Sequence, residues 1–362
     1  MTRGEETQTS WAERAFSIGA EIRDDADGAR YRVVRLLGRG GMGEVHEVVR
    51  ADTGARYALK CLLLQHARNE KTIERTRREA TTLRELRHPN VVRVHATGVR
   101  EDGLIWMVMD LLEGHTLAAA KRRLGKLPLP WALRLGRAVA EGLTAVHRYA
   151  VHRDVKPDNI HLGNDGVVRV LDLGAGKFHL SGLLTTGNRT LGTVPYMSPE
   201  QLVVGGIVDG RSDLFSLAVV LTELVSGVHP FAPAGLASEN VFTLVRRIVD
   251  PTPVSLRAQA PWVPDYIAAT IDRALSRERH LRPADAAEMA AALGADLERL
   301  EREVGSDAPL STLVRELNRR DEPGERPSSP PAEAPPAEPQ AAEAAVVATD
   351  EADTEIMVRR RT

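Results

Sequence analysis

The most informative part of this sequence reads His152-Arg153-Asp154-Val155-Lys156-Pro157-Asp158-Asn159 and is followed, after a short interval, by Asp172-Leu173-Gly174. The carboxylate of Asp154 can accept or orient the proton of an attacking hydroxyl group. Asn159 and Asp172 carry the hard oxygen atoms that Mg²⁺ prefers. The pattern therefore predicts a site at which two carboxylates and an amide act on a hydroxyl group with the help of a metal ion.

A glycine-rich segment lies closer to the N-terminus and reads Gly38-Arg39-Gly40-Gly41-Met42-Gly43-Glu44-Val45, which matches G-x-G-x-x-G-x-V. Glycines let backbone N–H groups approach phosphate oxygens closely. A simple glycine hairpin and a dinucleotide-binding turn are alternatives, but the latter should open a helix and be followed by an acid about 20 residues on. Here the glycines lead into a strand-like run, and Ala58-Leu59-Lys60 occupies the later position. The segment favours a phosphate-binding loop between two strands.

Taken in this order, the motifs resemble those of protein kinases. The first stretch matches the kinase pattern H-R-D-x-K-x-x-N in full, which a chance polar turn would not do, and the resemblance extends over residues 30–300. It implies an α+β, bilobal fold with a small antiparallel five-stranded N-lobe carrying one main helix (30–110) and a larger, mainly helical C-lobe (114–300). Lys156 in this loop is the usual mark of serine/threonine specificity. The family expectation is a bacterial-type serine/threonine protein kinase that uses ATP and Mg²⁺.

The resemblance also assigns catalytic and metal-binding roles. Asp154 would position or deprotonate the substrate hydroxyl, Lys156 would stabilise the transferring phosphoryl group, and Asn159 and Asp172 would bind Mg²⁺. Lys60 would contact the α- and β-phosphates, although an isolated lysine is more often a solvated surface group.

Lys60 should also pair with a glutamate of the following helix, for which Glu79 is preferred to Glu74. Asp172-Leu173-Gly174 departs from the family pattern Asp-Phe-Gly, but it keeps the metal ligand and the glycine. Leu173 would pack beneath the helix that carries Glu79, next to Leu83 and Val94.

ATP would bind between the lobes, with Met109 as the gatekeeper and the backbone of Asp110 and Leu112 as the adenine-contacting hinge. The full set of nucleotide-binding residues expected from the resemblance is Leu37, Gly38, Arg39, Gly40, Gly41, Met42, Gly43, Val45, Ala58, Lys60, Met109, Asp110 and Leu112.

Between Asp172 and Glu200 lies a segment in which Thr185, Thr186 and Thr190 are candidate activation-loop phosphosites. A phosphate there could gain Arg153 as a charge-assisted partner. Thr193 would instead orient Asp154 and Lys156. The alternative is an ordinary polar loop.

Two further resemblances are structural. Ser198-Pro199-Glu200 stands where kinases have Ala-Pro-Glu, and Glu200 should form a buried ion pair with Arg282. Asp213 should brace the catalytic loop from below. A helix N-cap is the alternative for Asp213, and both roles could hold.

The composition narrows the remaining choices. Lys and Arg (48) nearly cancel Asp and Glu (50), so the charge does not indicate a nucleic-acid partner. The single cysteine, Cys61, excludes an intrachain disulfide and fits a reducing compartment. No apolar run approaches the roughly 20 residues of a membrane span, and the polar N-terminal segment lacks a signal-peptide core. We therefore expect a cytoplasmic protein without a membrane span.

Outside the kinase-like region the sequence predicts three segments. Residues 1–29 read as a polar extension, and residues 301–320 read as a short amphipathic helix whose apolar positions include Leu310 and Leu317. Residues 321–362 are rich in Pro, Ala and Glu and read as a disordered tail. Thr349 and Thr354 in this tail could recruit a phosphothreonine-binding partner, although a solvated tail is the simpler interpretation.

Two other function classes share much of this pattern. A pseudokinase would keep the fold as a binding scaffold without turnover, but the intact catalytic set argues against it. A small-molecule phosphotransferase of related architecture would generally lack the glycine-rich loop and the Ala-Pro-Glu-like segment. The sequence therefore favours an enzyme whose substrates are proteins.

Overall fold

A computed structural model describes residues 16–24, 26–40, 43–63, 83–100, 104–172, 194–233, 235–236, 240–250, 255–305 and 309–319. Several predicted residues lie outside these ranges, and their assignments stay predictions. They are Gly41, Met42, Glu74, Glu79, Leu173, Thr185, Thr186, Thr190, Thr193, Thr349 and Thr354. The tail predicted at 321–362 also lies outside the described residues.

An antiparallel sheet of six strands forms the described part of the N-lobe, in the order β1-β2-β3-β4-β6-β5. The strands are β1 (Glu21–Arg23), β2 (Arg30–Gly40), β3 (Gly43–Arg50), β4 (Arg56–Leu63), β5 (Val94–Val99) and β6 (Leu104–Asp110). Strands β2 to β6 correspond to the five predicted strands, except that β5 is observed at Val94–Val99 and not at the predicted 91–94.

The sixth strand, β1, corrects the predicted count of five, because it lies in the segment assigned to a polar extension. Exposed and buried side chains alternate over its three residues, as in a strand with one face on the core: Ile22 is buried (5% exposed) between exposed Glu21 and Arg23. A tight turn joins it to β2, with the Gly28 amide donating to the Asp24 carbonyl at 3.0 Å and Gly28 at φ +73°. Three residues were too few to signal a strand in the sequence.

The two faces of β4 pack into different clusters, as the alternation of its side chains predicts. Leu59 and Cys61 are fully buried in a cluster that includes Tyr31, Trp106 and Val108. Ala58, one position before Leu59, packs in the other cluster, which contains Leu83, Val94, Met107 and Met109. Lys60 shares the face of Ala58 and is thereby directed to the side of the sheet where the C-lobe lies.

The C-lobe is mainly helical and contains a small sheet. Its described helices are α1 (Leu117–Leu124), α2 (Leu129–Val146), α3 (Pro199–Leu202), α4 (Gly210–Ser226), α5 (Val241–Val249), α6 (Leu256–Gln259), α7 (Asp265–Ala274), α8 (Ala286–Val304) and α9 (Leu310–Arg319). Its strands are β7 (Gly114–Thr116), β8 (Ile160–Gly163) and β9 (Val168–Val170), paired antiparallel in that order. Residues 212–226 of α4 are all buried, so this helix is the centre of the lobe.

The helix predicted around Leu310 and Leu317 is α9, which packs on the C-lobe. Leu313, Val314 and Leu317 are at most 2% exposed. Asn318 accepts a hydrogen bond from His115 Nε2 through its Oδ1 (2.8 Å) and donates one through its Nδ2 to Asn164 Oδ1 (3.2 Å). Within the described ranges, we find no helix with the length and apolar character needed to cross a membrane.

Candidate active site

The catalytic loop at residues 150–159 is held from below by Asp213, which lies in the first turn of α4. Its two carboxylate oxygens accept the backbone N–H groups of His152 (2.8 Å) and Arg153 (2.7 Å). The same carboxylate accepts a hydrogen bond from the ring of His147 at 2.8 Å. The predicted brace is confirmed, and the N-cap alternative is wrong, because the side chain of Asp209 caps α4 by accepting from the Arg211 amide.

His152 connects the catalytic loop to the strand that delivers Asp172. Its Nε2–H donates to the backbone carbonyl of Leu171 at 2.7 Å, while its Nδ1 accepts from the Asp154 amide at 3.3 Å. Both ring nitrogens are therefore engaged, one with each of the two segments. The buried ring thereby fixes the spacing between the catalytic loop and Asp172.

Asp154 is held on one of its two oxygens only. Its Oδ2 accepts from the Asn159 amide group at 2.9 Å and lies 3.0 Å from Lys156 Nζ. Its Oδ1 is buried and has no hydrogen-bond partner among the described residues. A buried acceptor without a partner is uncommon and calls for an explanation. A substrate hydroxyl that donates to Oδ1 would supply the missing partner.

Asp172 meets Lys60 across the cleft between the lobes. Lys60 Nζ lies 2.5 Å from Asp172 Oδ2, and the two side chains are 9% and 21% exposed. The Leu171 amide, which immediately precedes Asp172, donates to the Asn159 carbonyl at 2.8 Å. Lys60, the predicted catalytic Asp154 and both predicted metal ligands are therefore linked through one set of contacts. The predicted Lys60–Glu79 pair lies outside the described residues.

Two residues of this site have left-handed backbone conformations, Arg153 at φ +68° and Asp172 at φ +61°. This region is unfavourable for residues other than glycine, although aspartate tolerates it better than arginine does. Such strain persists only where surrounding contacts enforce it. Both ends of the Arg153 backbone are indeed held, since its amide donates to Asp213 and its carbonyl accepts from Gln201 at 2.9 Å.

The described part of the predicted nucleotide cleft is apolar at its base. Ala58 and Met109 are paired in register and are 7% and 8% exposed, and the partly buried Val45 and Leu112 pack against the same cluster. The Leu112 amide donates no hydrogen bond to another described residue, so it can contact an adenine ring. The amide of Asp110 donates to the Arg93 carbonyl (3.0 Å), which leaves only its carbonyl for the predicted hinge contact.

The glycine-rich loop is the hairpin between β2 and β3, as predicted. Gly40 pairs with Gly43, and Leu37 and Gly38 are exposed on the β2 side. Arg39 forms a cross-strand ion pair with Glu44 at 2.7 Å. A hairpin of two strands excludes the dinucleotide-binding alternative, which requires a helix after the glycines.

The donor set fits magnesium. Asn159 commits its amide nitrogen to Asp154, at 2.8 Å from the backbone carbonyl and 2.9 Å from Oδ2, so its side-chain oxygen is the end left to bind a cation. Asp172 adds a carboxylate. Among the described residues there is no cluster of three or more His, Cys, Asp or Glu that could hold a metal by itself. Two protein ligands suffice for Mg²⁺, which usually completes its shell with waters and substrate phosphates.

Glu200 and Arg282 form the predicted buried ion pair. Two parallel contacts join them, Nη1 to Oε1 at 2.7 Å and Nη2 to Oε2 at 2.9 Å, and Arg282 is 1% exposed. Burial would raise the pKa of Glu200, but hydrogen bonds from Arg282 and Ser212 and the guanidinium charge outweigh it and lower the pKa below its usual value. The pair fixes α3 to the end of the C-lobe.

Sequence reasoning missed a buried polar group of three residues at the end of the activation segment. Tyr196 donates to Glu223 Oε2 at 2.7 Å, and Lys121 Nζ lies 2.6 Å from Glu223 Oε1. Tyr196 and Glu223 are 6% and 7% exposed. The only sequence signal was an acid, Glu223, in the apolar C-terminal part of α4. Gln201 was also missed, although Ser198 and Gln201 form a capping box that the spacing S-x-x-Q indicates.

Comparison with known protein families agrees with this geometry. The family model described as "Protein kinase domain" matches residues 31–292. This chain belongs to the protein kinase domain family. The kinase fold thus accounts for the two lobes.

Curated relatives of this kinase domain carry serine/threonine-protein kinase names. A probable serine/threonine-protein kinase of Clostridium perfringens is 37% identical over 59% of this chain and 32% of its own length. PknA of Mycobacterium tuberculosis is 35% identical over 67% of this chain and 56% of its own. PrkC of Bacillus subtilis is 32% identical over 72% and 40%. The chain thus spans between a third and somewhat over half of the length of these relatives.

Solved structures show the same fold. The crystal structure of the PknI kinase domain of Mycobacterium tuberculosis superposes with a TM-score of 0.58 at 27% identity, covering 78% of this chain and 99% of that one. The predicted bilobal α+β kinase fold is confirmed.

Proposed function

We propose that this protein is a serine/threonine protein kinase that transfers the γ-phosphoryl group of ATP to Ser or Thr hydroxyls of protein substrates. The observation that carries the proposal is the state of Asp154. One carboxylate oxygen is held by Asn159 and Lys156, and the other is buried without a partner at the point where a hydroxyl would be received. The names of the curated relatives support the same activity.

In the proposed reaction, the substrate hydroxyl oxygen bonds to the γ-phosphorus while the bond between that phosphorus and the β,γ-bridging oxygen breaks. ADP leaves, and the hydroxyl proton passes to Asp154 Oδ1. Lys156, 3.0 Å from Asp154 Oδ2, places its positive charge beside the acid and the transferring group. Lys60 would exchange part of its contact with Asp172 for the α- and β-phosphates. Positioning and charge neutralisation supply most of the catalysis.

We infer that Mg²⁺ is held by Asn159 and Asp172, since these side chains present the oxygens that remain after their own contacts are counted. When bound there, Mg²⁺ would neutralise charge on the β- and γ-phosphates. The Lys60–Asp172 contact then has a second role, because it keeps the carboxylate directed to the cleft when no nucleotide is present.

The transfer of phosphate to protein separates this proposal from its alternatives. The full chain is incubated with γ-labelled ATP and magnesium, alone and with a generic basic protein, and phosphoserine and phosphothreonine are measured. We expect label on the protein itself and on the added substrate. Nucleotide binding without transfer would instead support a binding scaffold. Transfer confined to small molecules would support a small-molecule phosphotransferase.

We further propose that autophosphorylation occurs at Thr185, Thr186 or Thr190. The supporting observation is Arg153, whose buried Nε has no hydrogen-bond partner among the described residues. A phosphate on the neighbouring segment would satisfy this donor with a charge-assisted hydrogen bond. Phosphosite mapping by mass spectrometry should find one of these threonines modified in the wild-type protein and unmodified in Asp154→Asn. Modification only elsewhere would contradict the assignment.

The remaining partners follow from the proposed activity. Protein substrates are expected, and a phosphothreonine-binding partner of the segment around Thr349 and Thr354 is proposed from the sequence alone. A cytoplasmic location also stays a prediction from the sequence.

A further inference from the structure

A cavity of about 190 Å³ lies in the N-lobe at residues that have no assigned role in catalysis. It is lined by Asp27, Tyr31, Arg50, Arg84, Arg87, Arg93, Val94 and His95. These residues come from the β1–β2 turn, the start of β2, the end of β3 and the segment that leads into β5. None of them belongs to the predicted nucleotide cleft.

The cavity concentrates positive charge. Four guanidinium groups line it against one carboxylate, that of Asp27, whereas the chain as a whole has 48 basic and 50 acidic residues. Like charges brought together around a small space repel one another. The four arginines come from two segments, the end of β3 and residues 84–93, and an anion between them would relieve the repulsion.

Carboxylates of the protein neutralise only part of this charge. Arg84 pairs with the buried Asp24, with Nη2 2.9 Å from Oδ2, and Arg50 pairs with Asp52 at 2.9 Å. Arg87 and Arg93 form no side-chain hydrogen bond or ion pair with another described residue. Arg93 is also an electrostatic neighbour of the Asp110 carboxylate. An arginine has five N–H donors, so both side chains keep hydrogen-bonding capacity for an anion.

Asp27 opposes anion binding, but its carboxylate is already engaged. It accepts the Ala29 amide at 2.9 Å, which lowers its pKa, and it lies 4.0 Å from Arg84. Tyr31, which also lines the cavity, favours anion binding. Burial raises the pKa of its hydroxyl, which therefore stays neutral and can donate a hydrogen bond. Arg50 and Arg84 are thus offset by Asp52 and Asp24, and His95 lies 2.6 Å from the Asp110 carboxylate, so the positive charge left for an anion is that of Arg87 and Arg93.

The size of the cavity limits the ligand. Sites for drug-sized molecules usually occupy roughly 300–1,000 Å³, so a nucleotide would not fit, whereas a single tetrahedral anion would. Arginine matches phosphate oxygens with paired N–H groups better than lysine does. We propose that this cavity binds one phosphate group, either as inorganic phosphate or as a phosphomonoester on a protein side chain.

Titration calorimetry on the full chain at low ionic strength tests the proposal. Inorganic phosphate is titrated into the wild-type protein and into Arg87→Gln/Arg93→Gln. Arg87 and Arg93 are both exposed residues, so their replacement should leave the fold intact. The double variant is expected to bind phosphate at least about tenfold more weakly, since hydrogen bonds to charged groups are lost. Arg122→Gln/Arg148→Gln removes the same charge at exposed positions elsewhere and should change the affinity less than about twofold.

A second arm identifies the source of the phosphate group. A short peptide with one phosphothreonine is compared with its unphosphorylated form. Tighter binding of the phosphopeptide than of inorganic phosphate assigns the site to a phosphorylated protein segment, and binding of inorganic phosphate alone assigns it to the free anion. If phosphate binding is weakened equally in both double variants, the effect comes from the overall charge of the protein and not from this cavity, which would contradict the proposal. Unchanged affinity in Arg87→Gln/Arg93→Gln, or no binding at all, would overturn the proposal.

Discussion

Replacement of Asp172 by alanine is expected to abolish magnesium-dependent autophosphorylation while the protein stays folded. The substitution removes one of the two proposed metal ligands. Metal stabilisation of developing charge supplies several kcal/mol, and each 1.36 kcal/mol is tenfold in rate, so the loss should be at least about a thousandfold. Asp158→Ala is the matched control, because Asp158 is an exposed carboxylate of the neighbouring catalytic loop.

Lys60, which contacts Asp172, requires a control of its own. Asp172→Ala leaves the Lys60 ammonium, 9% exposed, without its 2.5 Å contact, which could lower stability as well as activity. Lys60→Met/Asp172→Ala removes both charges and should be as inactive as the single variant without the uncompensated charge. Thermal unfolding and incorporation of labelled phosphate are measured on all of them. Metal-dependent incorporation by folded Asp172→Ala at wild-type rate would refute the assigned metal site.

Replacement of Arg282 by methionine should cause the largest loss of stability. Removal of one member of a buried ion pair typically costs about 3–5 kcal/mol, because the other charge stays buried without compensation. Arg282 also donates to the carbonyls of Ser276 (2.7 Å) and Arg211 (3.0 Å), which would lose a partner. The measurement is the free energy of unfolding from urea titration of the full chain.

A surface pair supplies the comparison. Arg279 pairs with Asp209 at 2.8 Å, but its side chain is 32% exposed, so Arg279→Met should cost about 0–1 kcal/mol. Arg282→Met/Glu200→Gln should recover part of the loss, because no charge is then stranded. Equal destabilisation by Arg279→Met and Arg282→Met would show that burial does not determine the effect.

The buried Glu200–Arg282 ion pair predicts how the stability of the protein changes with pH. The pKa of Glu200 is lower in the folded protein than in the unfolded chain, because the contacts with Arg282 outweigh burial. The contribution of Glu200 to the stability of the folded protein is therefore complete above the pKa that it has in the unfolded chain. It is lost as the pH falls through the lower pKa that it has in the folded protein. The difference in stability between the wild-type protein and Arg282→Met should accordingly narrow on acidification. A constant difference across that range would contradict the assignment.

Much of the site could be predicted because its residues are close in the sequence. Asp154 and Asn159 lie in one loop, and the interval to Asp172 is that of a short hairpin, β8–β9. Lys60 is remote from these residues in the sequence, so its place in the site is predicted only through the strand pattern around it and the glycine-rich segment before it. Whether Asp213 supports the loop or caps α4 was left open, and the cap proved to be Asp209, for which the sequence predicted no role.

Other features depended on contacts that the local pattern does not encode. Strand β1 exists because Ile22 finds a place under the sheet edge, and three residues have no detectable period. The group Lys121, Tyr196 and Glu223 joins three segments far apart in the chain. The arginine-lined cavity likewise combines Arg50, at the end of β3, with Arg87 and Arg93 before β5.

The sequence by itself determined the family, the two lobes and the order of the catalytic residues, because these depend on short motifs whose chemistry requires particular side chains at particular spacings. Only the tertiary structure decided which oxygen of Asp154 is available, which partner Lys60 has among the described residues, and where unpaired arginines meet. Those properties follow from distances between segments that are remote in sequence, and such distances are set by packing of the whole domain rather than by any local pattern.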